Sequence, residues 1–201
     1  LLPNFPVFIA NSVIVSSPLM FDFTGDAIAE IAVIARDADN LYSLYIYDGA
    51  GQNLASIPLG RSEVYFDPIR TGTSIVIATV DGAIREYSYV NNALVEGIIH
   101  QAGVPVGVSA GEAPNEIFLN FPERNSIQIF QKNNGAWAMV QEIGTPNPVI
   151  YPVTVKNGVM YGITRVGELM ALVRATGAPR QGFPVVLPSL PLGSPLVENL
   201  R

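Results

Sequence analysis

The sequence predicts an all-β fold made of small sheets that recur along the chain. Three observations lead there. Helical periodicity is nearly absent, while 18 glycines and 16 prolines cut the 201 residues into short pieces. Apolar runs recur at 31–35, 75–80, 117–121 and 159–164, with starts 44, 42 and 42 residues apart. These runs are apolar at successive positions, so each strand needs cover on both faces.

The opening unit shows the pattern best. Ser17-Pro18-Leu19-Met20-Phe21 is a short apolar strand led by proline, which suits a strand's first residues. The stretch from Asp22 to Glu30 follows, with oxygen-bearing side chains at Asp22, Thr24, Asp26 and Glu30 around Gly25. This is loop chemistry: Asp and Thr side chains bond nearby backbone groups, and glycine admits positive φ. The run 31–35 is the second strand and 44–47 the third, closed by Asp48-Gly49, a hairpin signal. Later third strands fall at 84–89, 127–130 and 169–173, spaced 40, 43 and 42 residues from start to start. Each runs into a turn: Asn91-Asn92, Asn133-Asn134-Gly135 and Thr176-Gly177. Trp137 reads as a core residue of a fourth strand.

The ends resemble each other. Asn4-Phe5-Pro6-Val7-Phe8 matches Gly182-Phe183-Pro184-Val185-Val186, and each leads to Ser-Pro-Leu, at residues 17–19 and 194–196. The sequence therefore predicts four units, at about 16–60, 61–103, 104–146 and 147–190, with partial strands at 1–15 and 191–201. A repeat of about 42 residues lies in the range of a propeller blade, and a blade between two neighbours buries both faces of its middle strands. The fold expected is a β-propeller, of which the 201 residues are a part; Glu198-Asn199-Leu200-Arg201 falls where the next acidic loop should begin. A closed four-blade ring with both ends lying over it is the alternative. A two-layer sandwich is the rival, but it calls for clean alternation with one polar face per sheet.

The stretch SSPLMFDFTGDAIAEIAVIA followed by LYIYDGAG resembles the FG-GAP/VCBS type of propeller repeat and, more loosely, the quinoprotein (PQQ-like) repeat. That resemblance implies a loop motif Asp-x-Asp-x-Asp-Gly-x-x-Asp. Here Thr24 stands at an acidic position, Ala27 at the glycine and Glu30 at the last aspartate. It also implies calcium, which takes about six to eight oxygens. Asp22, Thr24, Asp26 and Glu30 would supply side chains and Ile28 a backbone carbonyl. The metal-free alternative is that Asp22 and Asp26 cap backbone N–H groups. The corresponding later loops have lost this chemistry. Asp67 is the lone acid of the second, Glu112 and Glu116 stand out of register in the third, and the fourth, around Lys156-Asn157-Gly158, has none.

Composition narrows the function classes. The chain is 49% hydrophobic and 14% charged, with net charge −6, which disfavours nucleic acid and anionic surfaces as partners. Pro, Gly or charge interrupts every long apolar run, so no membrane insertion is expected. There is no cysteine, hence no disulfide or thiolate site. His100 is the lone histidine, which supplies neither a triad nor a His-rich metal site. Tyr42, Tyr45, Tyr47, Tyr87 and Tyr89 are expected to pack between sheets rather than to line a binding surface. No pair of the 17 acids is singled out for glycosidase chemistry. Residues 169–177 read like the strand-and-turn ending of a quinoprotein-like repeat, without its tryptophan. The resemblance implies a non-catalytic protein-interaction or scaffold module, extracytoplasmic in a secreted or envelope protein. The rival is part of a propeller enzyme, a lyase/hydrolase or a quinoprotein.

Overall fold

The computed structural model describes residues 5–61, 64, 67–101, 103, 107–121 and 123–197. Among them the fold is all-β, in four antiparallel sheets and without a helix. Among the described residues no helix is long and apolar enough to cross a membrane. The chain divides into two compact units, Leu1–Val104 and Pro105–Arg201.

The first unit holds two sheets. In the first, β1 (Ser12–Ile14), β2 (Leu19–Phe21), β3 (Glu30–Asp37), β4 (Tyr42–Tyr47) and β5 (Asn53–Gly60) run in the order β1-β3-β4-β5, with β2 also on β3. β1 pairs with residues 35–37 and β2 with residues 30–32, so both lie along one edge of β3. Pro18 has no N–H for the ladder. Two bonds carry the pairing across the break: Val15 N–H to the Ile34 carbonyl at 2.9 Å, and Ile34 N–H to Ser16 Oγ at 2.9 Å. Residues 12–15 of the stretch 1–15, expected as a partial strand outside the first unit, therefore join the first sheet. The second sheet follows in sequence order: β6 (Ile69–Thr71), β7 (Ser74–Ala78), β8 (Ala83–Val90) and β9 (Ala93–Gln101).

The two sheets share one core. Ala32, Ile34, Leu44 and Ile46 of the first meet Ile75, Ile77 and Tyr87 of the second, joined by Phe21, Phe23 and Tyr42. Ile34, Leu44 and Ile46 are wholly buried, each worth about 1.5–3 kcal/mol of apolar transfer. The second sheet is buried on its other face too, through Val76, Ala78 and Ile84. The continuous apolar run at 75–78 has this cause.

The second unit repeats the arrangement. β10 (Gly107–Ala110), β11 (Glu116–Asn120), β12 (Ser126–Asn133) and β13 (Ala136–Gly144) form the third sheet. β14 (Thr154–Lys156), β15 (Val159–Ile163), β16 (Glu168–Val173) and β17 (Val185–Val186) form the fourth. Phe118, Ile127, Ile129 and Ile143 meet Met160, Met170 and Leu172, with Val149 and Val153 between. Ile117, Leu119 and Phe130 bury the other face of the third sheet. Trp137 lies on the fourth strand β13 but is only half-buried, so it is not the core residue expected.

Of the last expected strand, at 191–201, the described residues 191–197 belong to no strand. Glu198-Asn199-Leu200-Arg201, read as the start of another acidic loop, and Asn4 of the Phe-Pro motif lie outside the described residues.

Candidate functional site

The acidic loop joins β2 to β3, so its two ends are held by paired strands. Phe21 and Phe23 pack edge to face at 5.4 Å in the core, and Phe23 rests on Tyr89 at 5.8 Å. The backbone is thereby pinned through alternate residues. Asp22 and Thr24 are half-buried beside the pinned rings, and Asp26 is exposed at the loop tip.

The carboxylates are spent on the loop itself. Asp22 Oδ1 accepts the N–H groups of Gly25 at 2.6 Å and Asp26 at 3.2 Å, and Oδ2 accepts Ala27 N–H at 2.9 Å. Asp26 Oδ1 accepts Ile28 N–H at 2.8 Å. Glu30 is 3% exposed. Its Oε2 takes Phe23 N–H at 2.6 Å and Thr24 N–H at 3.1 Å, and its Oε1 takes the Thr24 hydroxyl at 3.2 Å. Charged acceptors make the stronger hydrogen bonds, so these contacts help to shape the loop. Gly25 and Ala27 sit at φ 87° and 69°. Ala27 thus adopts a conformation suited to glycine, the residue the resembling motif has at that place.

Of the five residues expected to hold calcium, Asp22, Asp26 and Glu30 converge. One carboxylate oxygen from each of Asp22, Asp26 and Glu30 lies within 4.8 Å of the others. Thr24 is bonded to Glu30 through its hydroxyl, and Ile28 donates its N–H to Asp26. The donor set fits calcium in that unused lone pairs remain, since each carboxylate offers about four and Asp26 fills one here.

An open cleft of about 630 Å³ adjoins the loop. Thr24, Asp26 and Glu30 line it together with Asp48, Tyr89 and Asn92. Sequence reading took Asp48 and Asn92 only as turn residues. A signal was there: in an antiparallel sheet the first-to-second and third-to-fourth connections share an end, so the turns at 48–49 and 91–92 face the acidic loop's end.

The other singled-out residues have structural places. Asp67 takes Ser17 N–H at 2.7 Å and its hydroxyl at 2.8 Å. Glu112 accepts the N–H groups of Asn157 at 2.5 Å and Gly158 at 2.8 Å. The bond from Gly158, then that from Asn157, holds the Glu112 carboxyl below its ordinary range. Glu116, read as out of register, opens β11 as Glu30 opens β3, and it bonds Gln131 and Arg174. His100 is half-buried on β9 opposite Ile84. Tyr42 and Tyr87 are core residues, as expected of packing tyrosines, and burial pushes the Tyr87 hydroxyl pKa up. Tyr45 and Tyr47 stack on each other at 6.3 Å.

No protein-family model matches this chain, and no curated protein matches it.

Proposed function

We propose that the four sheets are blades of a β-propeller of FG-GAP/VCBS-like or quinoprotein-like repeats, with further blades outside residues 1–201. The propeller works as a non-catalytic protein-interaction or scaffold module of a secreted or cell-envelope protein. One observation carries this reading. The distinctive acids are bound to the loop's own backbone, and the loop they shape walls an open cleft with Tyr89 and Asn92. Carboxylates committed in this way shape a surface rather than move protons. The repeat of about 42 residues and the burial of both faces of the middle sheets support the propeller. A tyrosine beside polar turn groups suits a protein partner, since tyrosine is enriched at interfaces and Asn and Asp add hydrogen bonds.

The test compares partner capture by the native protein and by the Asp26→Ala/Tyr89→Ala/Asn92→Ala variant. Loss of the partner at unchanged melting temperature supports the reading; equal capture removes the cleft from it. A purified protein carrying an absorbing redox cofactor would instead establish the quinoprotein alternative.

Calcium is the second reading, favoured by the three carboxylates that converge within 4.8 Å. Asp22, Asp26 and Glu30 would hold the ion, with Thr24 and the Ile28 carbonyl completing the oxygen set. Bound calcium would neutralise the loop's charge and stiffen it.

A further inference from the structure

The chain has two Asn-Gly pairs, Asn134-Gly135 and Asn157-Gly158. Each forms the two-residue tip of a hairpin, the first between β12 and β13 and the second between β14 and β15. All four residues have positive φ, 50° and 83° in the first pair and 52° and 68° in the second. That is the tight hairpin turn in which Asn-Gly is the preferred pair. Neither glycine is crowded, since a Cβ at either would meet nothing within 4 Å. The two turns differ in what their N–H groups meet. Glu112, in the loop between β10 and β11, reaches across to the second turn. One of its oxygens accepts Asn157 N–H at 2.5 Å and the other accepts Gly158 N–H at 2.8 Å. Among the described residues, no acceptor meets the N–H of Asn134 or of Gly135.

Asparagine before glycine has a reaction of its own. The glycine nitrogen gives its proton to hydroxide and attacks the carbonyl carbon of the asparagine side chain. A carbon–nitrogen bond forms, the side-chain nitrogen takes a proton from water and leaves as ammonia, and a cyclic imide remains. Water then opens the imide at either of its carbonyls, which leaves aspartate or isoaspartate. Water is the only reactant consumed. The attacking group is an amide anion. A carboxylate that already accepts the proton disfavours that anion twice, by bonding its neutral form and by its own negative charge.

We propose that Asn134 is a self-modification site, converting to aspartate or isoaspartate, and that Glu112 guards Asn157 against the same reaction. The strands make this order informative. β14 pairs with β15 over residues 154–156 alone, whereas β12 pairs with β13 over 126–133. The shorter ladder opens more readily, so ladder length alone would expose Asn157 first. The guard reverses that order. Its carboxyl is held below its ordinary range by the bond from Gly158 and then that from Asn157, so it is ionised where the reaction runs. Reaction at Asn134 puts a new negative charge on the hairpin tip, and isoaspartate lengthens the backbone between the paired residues Asn133 and Ala136.

The test incubates the purified native protein at mildly alkaline pH and follows the two Asn-Gly peptides by mass spectrometry, with aspartate and isoaspartate separated by chromatography. Asn134 should convert about tenfold faster than Asn157 or more, the factor that one hydrogen bond to a charged group supplies. Glu112→Ala and the neutral Glu112→Gln should each speed Asn157 and leave Asn134 unchanged. Asn134 thus serves as the internal control for general loosening of the fold. Equal rates at the two sites of the native protein, or no conversion at Asn134, overturn the proposal. So does an Asn157 rate that neither variant moves, or one that rises only in step with Asn134.

Discussion

Glu30 and Glu116 occupy one place in two different sheets: each opens a second strand, and they are 3% and 2% exposed. Their partners differ. Glu30 bonds two backbone N–H groups and a hydroxyl of its own loop, whereas Glu116 bonds the side chains of Gln131 and Arg174. Removing Glu30 strands the N–H of buried Phe23, which has nowhere to go. Removing Glu116 frees side chains, and Arg174 is 27% exposed and can be rehydrated. Glu30→Ala should therefore cost about 2–3 kcal/mol and Glu116→Ala about 1–2 kcal/mol. Urea unfolding of the two variants checks the order; equal losses would show that the loop backbone finds water instead.

Gly107 and Gly97 both lie in strands, and the space around them differs. A Cβ at Gly107 would stand 2.2 Å from Asn120 Oδ1 and 2.7 Å from the Pro152 backbone; at Gly97 it would meet nothing within 4 Å. Asn120 cannot swing aside without cost, since its amide bonds the carbonyls of Val149 at 2.9 Å and Tyr151 at 3.2 Å. Gly107→Ala should destabilise by about 2–3 kcal/mol through overpacking. Gly97→Ala should change little or stabilise slightly, because alanine loses less entropy in a strand. Melting temperatures of the pair decide it; a tolerated Gly107→Ala would mean that the Pro152 segment moves.

The second and third strands were legible because burial on both faces writes itself as unbroken apolar runs, as at 31–35 and 75–78. The inner strands β2, β6 and β14 have three residues each, too few to show a period of two. β1 joins the first sheet by pairing Ser12–Ile14 with residues 35–37, a contact across more than 20 residues that no local pattern records. The acids of the loop were legible as a cluster. Their use was not, because capping and metal binding call for the same oxygens. The register of Glu116 was missed because the loop before it is built differently: its Glu112 reaches forward to Asn157 and Gly158.

Ala27 tests the loop's strain. Its φ of 69° is one that a side chain with Cβ adopts at a cost of about 1 kcal/mol or more. Its N–H still donates to Asp22 Oδ2 at 2.9 Å, so the hydrogen bond keeps it there. Ala27→Gly relieves the strain while adding freedom to the unfolded chain. A net gain of about 0.5–1 kcal/mol is expected by thermal unfolding. A loss would show that the Ala27 methyl group contributes packing that outweighs its backbone cost.

Calcium would act on the same loop by a different route. An ion that binds only the folded protein raises the melting temperature in proportion to the logarithm of its concentration. The wild type should melt several degrees higher in millimolar calcium, an order-of-magnitude expectation for one site well above its Kd. Asp26→Ala, which removes the loop's least committed carboxylate, should abolish the shift. No shift in either protein removes calcium and leaves the loop to its hydrogen bonds.

Asp81 supplies the pH prediction. Its carboxyl accepts the Thr79 hydroxyl at 2.5 Å and Ala83 N–H at 3.1 Å, and Arg85 stands 3.3 Å away. The Thr79 bond leads in lowering its pKa from 3.8 to about 2, and the Ala83 bond and Arg85 add to it against partial burial. The folded state thus favours the ionised form. The stabilisation is complete above the unfolded value of 3.8 and is lost as pH falls towards 2. Asp81 is 40% exposed, so solvent screening limits its contribution to about 1 kcal/mol or less. Asp81→Asn should lower stability by that amount at neutral pH, and the gap from wild type should close as the pH falls below about 4. Following the Asp81 carboxyl by NMR checks the cause directly: a midpoint near 3.8 would show that Thr79 and Ala83 do not hold it in solution.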